Sequence, residues 1–253
     1  MDKKYRMKNL VFIFLLVSQV FLAQNSFEKG NALYQKGNYE EAIAAYESIL
    51  NSKKESAELY FNLANCYYKL NKVAPAIYNY EKALVLNPKD SEILNNLLFA
   101  HKMTIDEIKV VPKVGFAKLL RDFTGIFHYD TWAWITVSFA GLFLLFFIGY
   151  YFSQLTLSKR IFFIGMFVLV FLILMSTLAA LFEKSHDTNE RPAIVFAEIA
   201  QVKSEPKSSS SDVFVLHEGA KVYLHESIEN WVKIELTDGS EGWIESNNVK
   251  SVK

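Results

Sequence analysis

Cysteine is nearly absent from this chain of 253 residues, in which Cys66 stands alone. A single cysteine has no partner within the chain for a disulfide. Because Cys66 lies among small and aromatic residues of a predicted helix, we expect a buried core residue and not a redox-active thiol. The cysteine content therefore predicts neither a disulfide framework nor thiol chemistry.

The chain also lacks an excess of positive or negative charge. Lysine plus arginine and aspartate plus glutamate each total 27, which gives a formal net charge of zero. Proteins that bind nucleic acid present a basic field to the phosphate backbone. We therefore predict no nucleic-acid partner.

Residue patterns that mark common enzymes and metal sites are missing from the sequence. The five histidines show neither H-x-x-x-H nor H-E-x-x-H spacing. Only His217 and His225 fall in one predicted domain, where we expect both in exposed loops. No G-x-S-x-G, phosphate-loop or dinucleotide fingerprint occurs. The sequence thus predicts no catalytic residue, no metal site and no cofactor, in a protein that is not an enzyme.

Long apolar runs, by contrast, occur in three places. The first extends from Leu10 to Ala23 and follows the basic residues Lys3, Lys4, Arg6 and Lys8. A basic head, a short apolar body and a terminal alanine are typical of a secretory signal, so we assign residues 1–23 to a signal peptide. Phe21 is unfavourable three positions before cleavage after Ala23, which leaves an uncleaved anchor as the alternative. Both interpretations predict that the chain from Gln24 onward is exported.

The second and third runs contain no charged residue. They extend from Trp132 to Phe152 and from Ile161 to Phe182, 21 and 22 residues, which is enough for a helix to cross ~30 Å of hydrocarbon. We predict transmembrane helices at residues 131–152 and 161–182, with a pair of buried soluble helices as the alternative. The connection 153–160 carries Lys159 and Arg160 and no acidic residue, so the positive-inside rule predicts that it is cytoplasmic. Both flanking regions then face the exterior.

The approach to the first span is amphipathic. Within residues 110–130 the apolar side chains follow helical spacing, with basic residues among them: Phe116, Leu119, Leu120, Phe123 and Phe127, with Lys113, Lys118 and Arg121. Such a helix can rest at the lipid surface. Docking on the preceding domain is an equally good interpretation.

Two blocks of the N-terminal region coincide when one is shifted by 34 residues. Gly30 to Leu50 and Ala64 to Leu84 match in their small, aromatic and aliphatic positions, and 34 is the period of the tetratricopeptide repeat. We predict a repeat domain at residues 24–109 that includes a terminal helix from Ser91 to Lys109. Two full repeats are fewer than the three or so needed for stability, so we expect that helix, the N-terminal flank or the membrane to complete the stack. The positions predicted to pack the repeats are Gly30, Ala42, Tyr46, Ala64, Ala76, Tyr80 and Pro88.

The first helix of each repeat forms most of the concave face in this repeat class. The predicted partner-binding groove consists of Phe27, Asn31, Asn62, Asn65, Tyr68, Lys69, Asn95 and Asn96. Side-chain amides both donate and accept hydrogen bonds, and so suit the backbone of an extended peptide. The alternative is an ordinary polar helix surface. Some relatives clamp a terminal carboxylate with lysine and arginine, but Phe27, Glu92 and Asn96 occupy those places here, which disfavours such a clamp.

Beyond a polar linker at residues 183–192 the pattern changes to short alternating strands separated by turn residues, which predicts a small barrel. The strands are expected at 194–196, 213–216, 221–224, 231–236 and 242–244. The segment N-W-V-K-I-E-L-T-D-G-S-E-G-W-I resembles the bacterial SH3 domain, which we place at residues 193–253. The resemblance assigns core and turn positions to Gly219, Trp231, Asp238, Gly239, Gly242 and Trp243. It implies binding of cell-wall peptide or of other proteins.

The whole arrangement predicts a multidomain membrane protein with an all-α tetratricopeptide repeat domain, two transmembrane helices and a small all-β SH3-like barrel. Together with the span entry F-T-G-I-F-H-Y-D-T-W-A-W-I, this order of parts resembles the Bacteroides aerotolerance family. The resemblance implies von Willebrand factor A-type membrane proteins and a MoxR-type ATPase as partners, and no enzymatic activity. We expect a scaffold in the bacterial inner membrane with both outer domains in the periplasm. A tether to peptidoglycan is the alternative, and a sensor that couples the two domains is a weaker third.

Overall fold

A computed structural model describes residues 26–106 and 115–253 of the chain. The predicted signal at residues 1–23 lies outside the described residues. Contacts between residues divide the chain into two compact units. The first combines Met1–Val110 with Arg191–Lys253, and the second is Val111–Glu190.

Within residues 26–106 the regular secondary structure is all helical. The helices are α1 (residues 26–35), α2 (Tyr39–Asn51), α3 (Ala57–Lys69), α4 (Val73–Leu86) and α5 (Ser91–His101). Helices α1 and α2 form one repeat, α3 and α4 form a second, and α5 begins a third. The predicted helical tetratricopeptide region is therefore confirmed.

Turns and helix caps repeat with the same period as the sequence. The chain leaves α1 through Gly37 (φ 79°) and leaves α3 through Asn71 (φ 56°), 34 positions later. Ser56 caps α3 by accepting a hydrogen bond from the backbone N–H of Leu59, and Asp90 caps α5 by accepting from Glu92 and Ile93. A side-chain oxygen at this position satisfies backbone donors that the first helical turn leaves unpaired. The period thus fixes where each helix begins and ends.

Small and aromatic residues fill the layers between these helices. Ala42, Ala64 and Ala76 are fully buried, and Tyr46 and Tyr80 are each 1% exposed. Gly30 is buried with the ring of Tyr46 against its α-carbon, so any side chain at position 30 would overlap that ring. Pro88 is exposed in the turn between α4 and α5.

The second unit is a helical hairpin preceded by a short helix. It consists of α6 (Phe116–Thr124), α7 (Tyr129–Phe152) and α8 (Thr156–Asn189). Helices α7 and α8 have 24 and 34 residues and contain 18-residue stretches with mean hydropathies of 2.0 and 2.8, so both are long and apolar enough to cross a membrane. The chain thus has the two candidate membrane-spanning helices that the sequence predicts.

Close packing and one hydrogen bond join the two long helices. Gly149 of α7 lies against the ring of Phe162, and Gly165 of α8 lies against the ring of Phe146. The Thr136 hydroxyl donates to the Ser176 hydroxyl at 2.8 Å. Small residues that admit a neighbouring ring and hydroxyls that pair across the contact are typical of helices that associate in lipid.

The amphipathic approach is anchored within this unit. Arg121 of α6 pairs with Glu183 of α8 at 3.1 Å. The indole N–H of Trp132 donates to the backbone carbonyl of Thr124 at 2.8 Å, and the rings of Phe123 and Phe127 lie 5.5 and 5.4 Å from the Trp132 ring. Helix α6 thus contacts the hairpin that it precedes.

Helix α8 is longer than the apolar run that predicted it. Its start at Thr156 reduces the non-helical part of the predicted loop 153–160 to residues 153–155, and its end at Asn189 converts most of the predicted linker 183–192 into helix. Residues 183–189 contain neither glycine nor proline, and His186 and Glu190 lie 3.3 Å apart one turn from each other. Without a helix-breaking residue, and with this pair on one face, the helix continues beyond the hydrocarbon.

The C-terminal part of the first unit is an antiparallel sheet of seven strands. The strands are β1 (Pro192–Val195), β2 (Ile199–Lys203), β3 (Asp212–His217), β4 (Lys221–Ile228), β5 (Trp231–Glu235), β6 (Glu241–Glu245) and β7 (Val249–Ser251). Their order is β3-β2-β6-β5-β4-β1-β7. This sheet is consistent with the predicted SH3-like domain, although β2 and β7 were not predicted.

The SH3-like residues singled out in the sequence lie in the sheet core and its turns. Trp231 and Trp243 are 9% and 8% exposed. Gly239, at φ 88°, turns the chain between β5 and β6, and Asp238 accepts a hydrogen bond from the Ser240 N–H at 2.9 Å in the same turn. Gly242 lies directly against Val202 of β2, which leaves no room for a side chain. Gly219 lies in the β3–β4 turn at φ 86°.

Candidate partner-binding surface

Asparagine side chains form a row across the first helices of the repeats. Asn31 lies on α1, Asn62 and Asn65 lie on α3, and Asn96 lies on α5. All four are half-buried, so part of each amide is accessible to a partner. We call these four residues the amide row.

Each amide of the row is held by the same hydrogen-bond arrangement in both repeats. The Asn31 carbonyl accepts from the Tyr46 hydroxyl at 2.6 Å and from the Asn62 amide N–H at 3.1 Å. One period later the Asn65 carbonyl accepts from the Tyr80 hydroxyl at 2.5 Å and from the Asn96 amide N–H at 3.0 Å. Each participating residue is displaced by 34 positions from its counterpart. The row is therefore a fixed array and not a set of independent polar side chains.

The buried tyrosines determine which atom of each asparagine amide faces inward. Burial raises the pKa of Tyr46 and of Tyr80, so both hydroxyls stay protonated and act as donors. Asn31 and Asn65 must then present their carbonyls inward. Asn62 and Asn96 each donate an amide N–H to the row, and their amides also contact the hydroxyls of Tyr46 and Tyr80. The accessible part of each amide can offer hydrogen bonds to a ligand.

The other predicted groove residues lie in different settings. Phe27 packs with its ring centroid 5.8 Å from that of Tyr46 and is half-buried. Tyr68 is also half-buried, against the core of the second repeat. Lys69 and Asn95 are exposed on α3 and α5. The structure thus brings the four asparagines together and uses Phe27 and Tyr68 partly as core.

One residue of this surface was missed in the sequence. Phe61 stands 34 positions after Phe27 and packs on Tyr80 at 5.9 Å with an interplanar angle of 55°, which nearly equals the 54° between Phe27 and Tyr46. Shifting Phe27 by the period would have identified it. The buried tyrosines themselves were predicted as packing residues, but not as hydrogen-bond donors to the amide row.

Cys66, His217 and His225 are the residues that the sequence analysis considered for thiol chemistry or metal binding. Cys66 is fully buried, and this burial raises the pKa of its thiol to about 12. His217, which we expected in an exposed loop, ends strand β3 and contacts Asp106 at 2.8 Å, because the helical domain packs against that strand. His225 lies within β4 and contacts Glu235 at 2.7 Å. Residues 26–106 and 115–253 contain no group of three histidine, cysteine or acidic side chains that could hold a metal ion.

Comparison with known proteins identifies two interaction modules in the chain. The tetratricopeptide repeat family matches residues 27–91, and the bacterial SH3 domain family matches residues 200–250. Both are non-catalytic modules that bind other molecules.

Each of the following similar proteins matches a quarter to a third of the chain. The Hsp70-Hsp90 organizing protein of Triticum aestivum is 34% identical over 67 residues, which is 26% of this chain and 12% of that protein. Human tetratricopeptide repeat protein 12 is 44% identical over 64 residues, 25% of this chain and 8% of that protein. The NMR structure of the first TPR domain of human RPAP3 covers 32% of this chain and 91% of that domain at 22% identity, with a TM-score of 0.22. The chain therefore spans about a tenth of the length of the curated relatives that it matches.

Proposed function

We propose that this protein is a non-enzymatic scaffold or adaptor of an inner-membrane complex that binds protein partners through its repeat domain. The observation that carries the proposal is the amide row, which recurs with the same hydrogen bonds in both repeats. A repeated, half-exposed row of amides suits the backbone of an extended peptide, whose own donors and acceptors also recur.

The fixed geometry of the row favours binding. Asn62 and Asn96 are oriented by their bonds to Asn31 and Asn65, which are in turn held by the buried tyrosines. Because Asn62 and Asn96 are already ordered, binding of a partner costs little side-chain entropy. A clamp for a terminal carboxylate remains disfavoured, since Asn96 is engaged with Asn65 and the exposed residue nearby on α5 is the acidic Glu92.

A location outside the cytoplasm rests on the order of the parts. The repeats precede the hairpin, the SH3-like domain follows it, and both belong to one compact unit. Two crossings by α7 and α8 return the chain to its starting side, which such a unit requires. Lys159 and Arg160 at the start of α8 favour a cytoplasmic turn. We therefore place both domains in the periplasm.

The order of the parts also supports assignment to the BatE type of the Bacteroides aerotolerance family. Its partners would then include membrane proteins of the von Willebrand factor A type and a MoxR-type ATPase system. The repeat domain offers the surface through which a periplasmic part of such a protein docks.

Crosslinking in native membranes tests the scaffold. We expect Asn62→Ala and Asn96→Ala each to lower recovery of the crosslinked partner by about fivefold, the equivalent of one net hydrogen bond of about 1 kcal/mol. Neither change removes a bond between a tyrosine and Asn31 or Asn65. Asn51→Ala, which removes an exposed amide at the end of α2, is the matched control. Unchanged recovery from both variants would exclude the amide row as the binding surface.

A cell-wall tether is the second candidate. A cavity of about 320 Å³ on the SH3-like domain is lined by Ile199, Gln201, Lys203, Ser208, Trp231, Glu245 and Asn248. An aromatic floor with amide and charged groups at its edge suits a short peptide such as those of peptidoglycan. Co-sedimentation of the full chain in detergent with purified peptidoglycan tests this candidate, with Gln201→Ala as the variant and Ser227→Ala as the control. A full chain that stays in the supernatant removes the candidate.

A further inference from the structure

Helix α4 is buried on more of its surface than its counterpart in the first repeat. Helix α2 buries four residues, whereas α4 buries nine. Among the additional ones are Tyr78, Asn79 and Glu81, which are 9%, 5% and 7% exposed. Their counterparts 34 positions earlier are Ala44, Ala45 and Glu47, of which the first and last are exposed. Something therefore covers a second face of α4 that the repeat itself leaves open.

The SH3-like domain covers this face. Ile194 of β1 and Val252 after β7 are fully buried in the same apolar cluster as Ile77. The ring of Phe196 packs edge-on against Tyr78, with centroids 5.6 Å apart. The Lys250 ammonium lies 4.4 Å from the centre of the Tyr78 ring. Apolar and cation–π contacts thus continue the repeat core into the sheet.

A buried ion pair crosses the same contact. The Glu81 carboxylate receives two hydrogen bonds from the Lys221 ammonium, at 2.7 and 2.8 Å. Its side chain is 9% exposed, whereas the side chain of Lys221 is 27% exposed. One period earlier the exposed Glu47 accepts instead from the Tyr67 hydroxyl of α3, within the repeats. A buried carboxylate needs a partner to offset its lost hydration, and here the SH3-like domain supplies that partner.

A second attachment lies just beyond α5. The Asp106 carboxylate accepts from the backbone N–H of His217 at 2.7 Å and contacts the imidazole Nδ1 of the same residue at 2.8 Å. Gly219, in the turn that follows, is so close to α4 that an added β-carbon would lie 2.9 Å from Val73 and 3.0 Å from Ile77. The β3–β4 turn can therefore pack this closely against α4 only because position 219 has no side chain.

We propose that the SH3-like domain caps the repeat array by covering the outer face of α4. A helical array needs a terminal cap and usually three repeats for stability. The repeats and the SH3-like domain then unfold as one cooperative unit. The β3–β4 turn and the strands β1 and β7 serve the repeats, so a wall ligand or an external partner binds elsewhere on this domain. This proposal is independent of the scaffold function.

Hydrogen exchange of the full chain in detergent tests this proposal. The variants are Glu81→Lys, Lys221→Glu and the double variant that exchanges the two charges. We expect Glu81→Lys, although it lies in the repeats, to accelerate exchange of amides in β4 to β6 by ~10-fold or more, because opening of a cooperative unit exposes all its parts. Lys221→Glu should accelerate exchange in α4 similarly. The double variant should recover most of the protection, because it restores an ion pair of opposite polarity.

Glu47→Lys is the matched control at the equivalent position one repeat earlier. Because Glu47 is exposed, its charge reversal costs little stability and should accelerate exchange in β4 to β6 far less than Glu81→Lys. The milder Phe196→Ala covers the case in which a charge reversal prevents folding, and should accelerate exchange in both domains. Acceleration confined to the domain that carries the change, for all of these variants, would overturn the proposal. A double variant no better protected than the single variants would also overturn it.

Discussion

Asn65 should contribute more to the stability of the repeats than the tyrosine hydroxyl that it binds. The change Asn65→Ala removes the acceptor of the Tyr80 hydroxyl and of the Asn96 amide. Asn96 is half-exposed and can bind water instead. Tyr80 is 1% exposed, so its hydroxyl is left buried without an acceptor. The reverse change, Tyr80→Phe, removes the donor and leaves the Asn65 carbonyl bonded to Asn96.

The two changes therefore carry different costs. An unsatisfied buried hydroxyl costs about 1–3 kcal/mol, whereas a lost hydrogen bond whose remaining partner is satisfied costs about 1 kcal/mol. We expect Asn65→Ala to lower the free energy of unfolding by about 2–3 kcal/mol and Tyr80→Phe by about 1 kcal/mol. In the double variant the buried hydroxyl is gone, so the combined loss should be smaller than the sum by about 1 kcal/mol.

Hydrogen exchange of α3 and α4 in the full chain measures these free energies of opening. The first repeat provides an internal replicate, because Asn31→Ala and Tyr46→Phe alter the same arrangement one period earlier. In both repeats the Asn→Ala change should lower the free energy of opening more than the Tyr→Phe change does. If Tyr80→Phe is as costly as Asn65→Ala, the tyrosine hydroxyl does not depend on the amide and the account of the amide row is wrong.

Three further predictions concern groups elsewhere in the chain. Burial raises the pKa of the Cys66 thiol to about 12, so maleimide should label the folded chain at pH 8 only after denaturant is added, and rapid labelling without denaturant would contradict this burial. Burial also lowers the pKa of His101 below its ordinary value of 6.5. The unfolded chain then binds this proton more readily, so the free energy of unfolding should fall as pH drops through 6.5, and a titration of His101→Gln should show a smaller fall. In the hairpin, Gly165→Leu should lower the melting temperature in detergent, because the new side chain overlaps Phe146, whereas Gly141→Leu, in open space on α7, should not; equal melting temperatures would argue against close packing there.

Periodicity made the repeat domain predictable from the sequence. A shift of 34 aligns Tyr46 with Tyr80 and Ala42 with Ala76, and the structure buries all four. The groove was predicted less well, because a list of polar residues on the first helices does not show which atoms are already bonded. The carbonyls of Asn31 and Asn65 are directed inward by hydroxyls from the second helices. That information lies in pairs of residues 15 positions apart, which no helical or strand period displays.

Sequence patterns did not predict those helix ends and strands whose residues resemble the neighbouring residues in polarity. Helix α8 continues to Asn189 through charged residues, and hydropathy detects where the hydrocarbon ends but not where the helix ends. Strand β2 has the sequence I-A-Q-V-K, with Ala200 and Val202 buried and Ile199 exposed. Burial alternates along β2, but a core alanine and an exposed isoleucine hide that alternation in the sequence. Strand β7 has three residues, too few for any pattern.

The contact between the repeats and the SH3-like domain is visible in the sequence, because residues at equivalent positions of the two repeats differ there. Ala44 and Tyr78 are equivalent positions, and so are Ala45 and Asn79. A repeat array that ended in solvent would have no physical reason to replace two small residues on the outer face of α4 with larger ones. Tyr78 and Glu81 are buried there with Phe196, Lys250 and Lys221 against them. Equivalent positions that carry similar residues in both repeats indicate packing within the repeat. Equivalent positions on the outer face that carry different residues indicate a contact that only the second repeat makes.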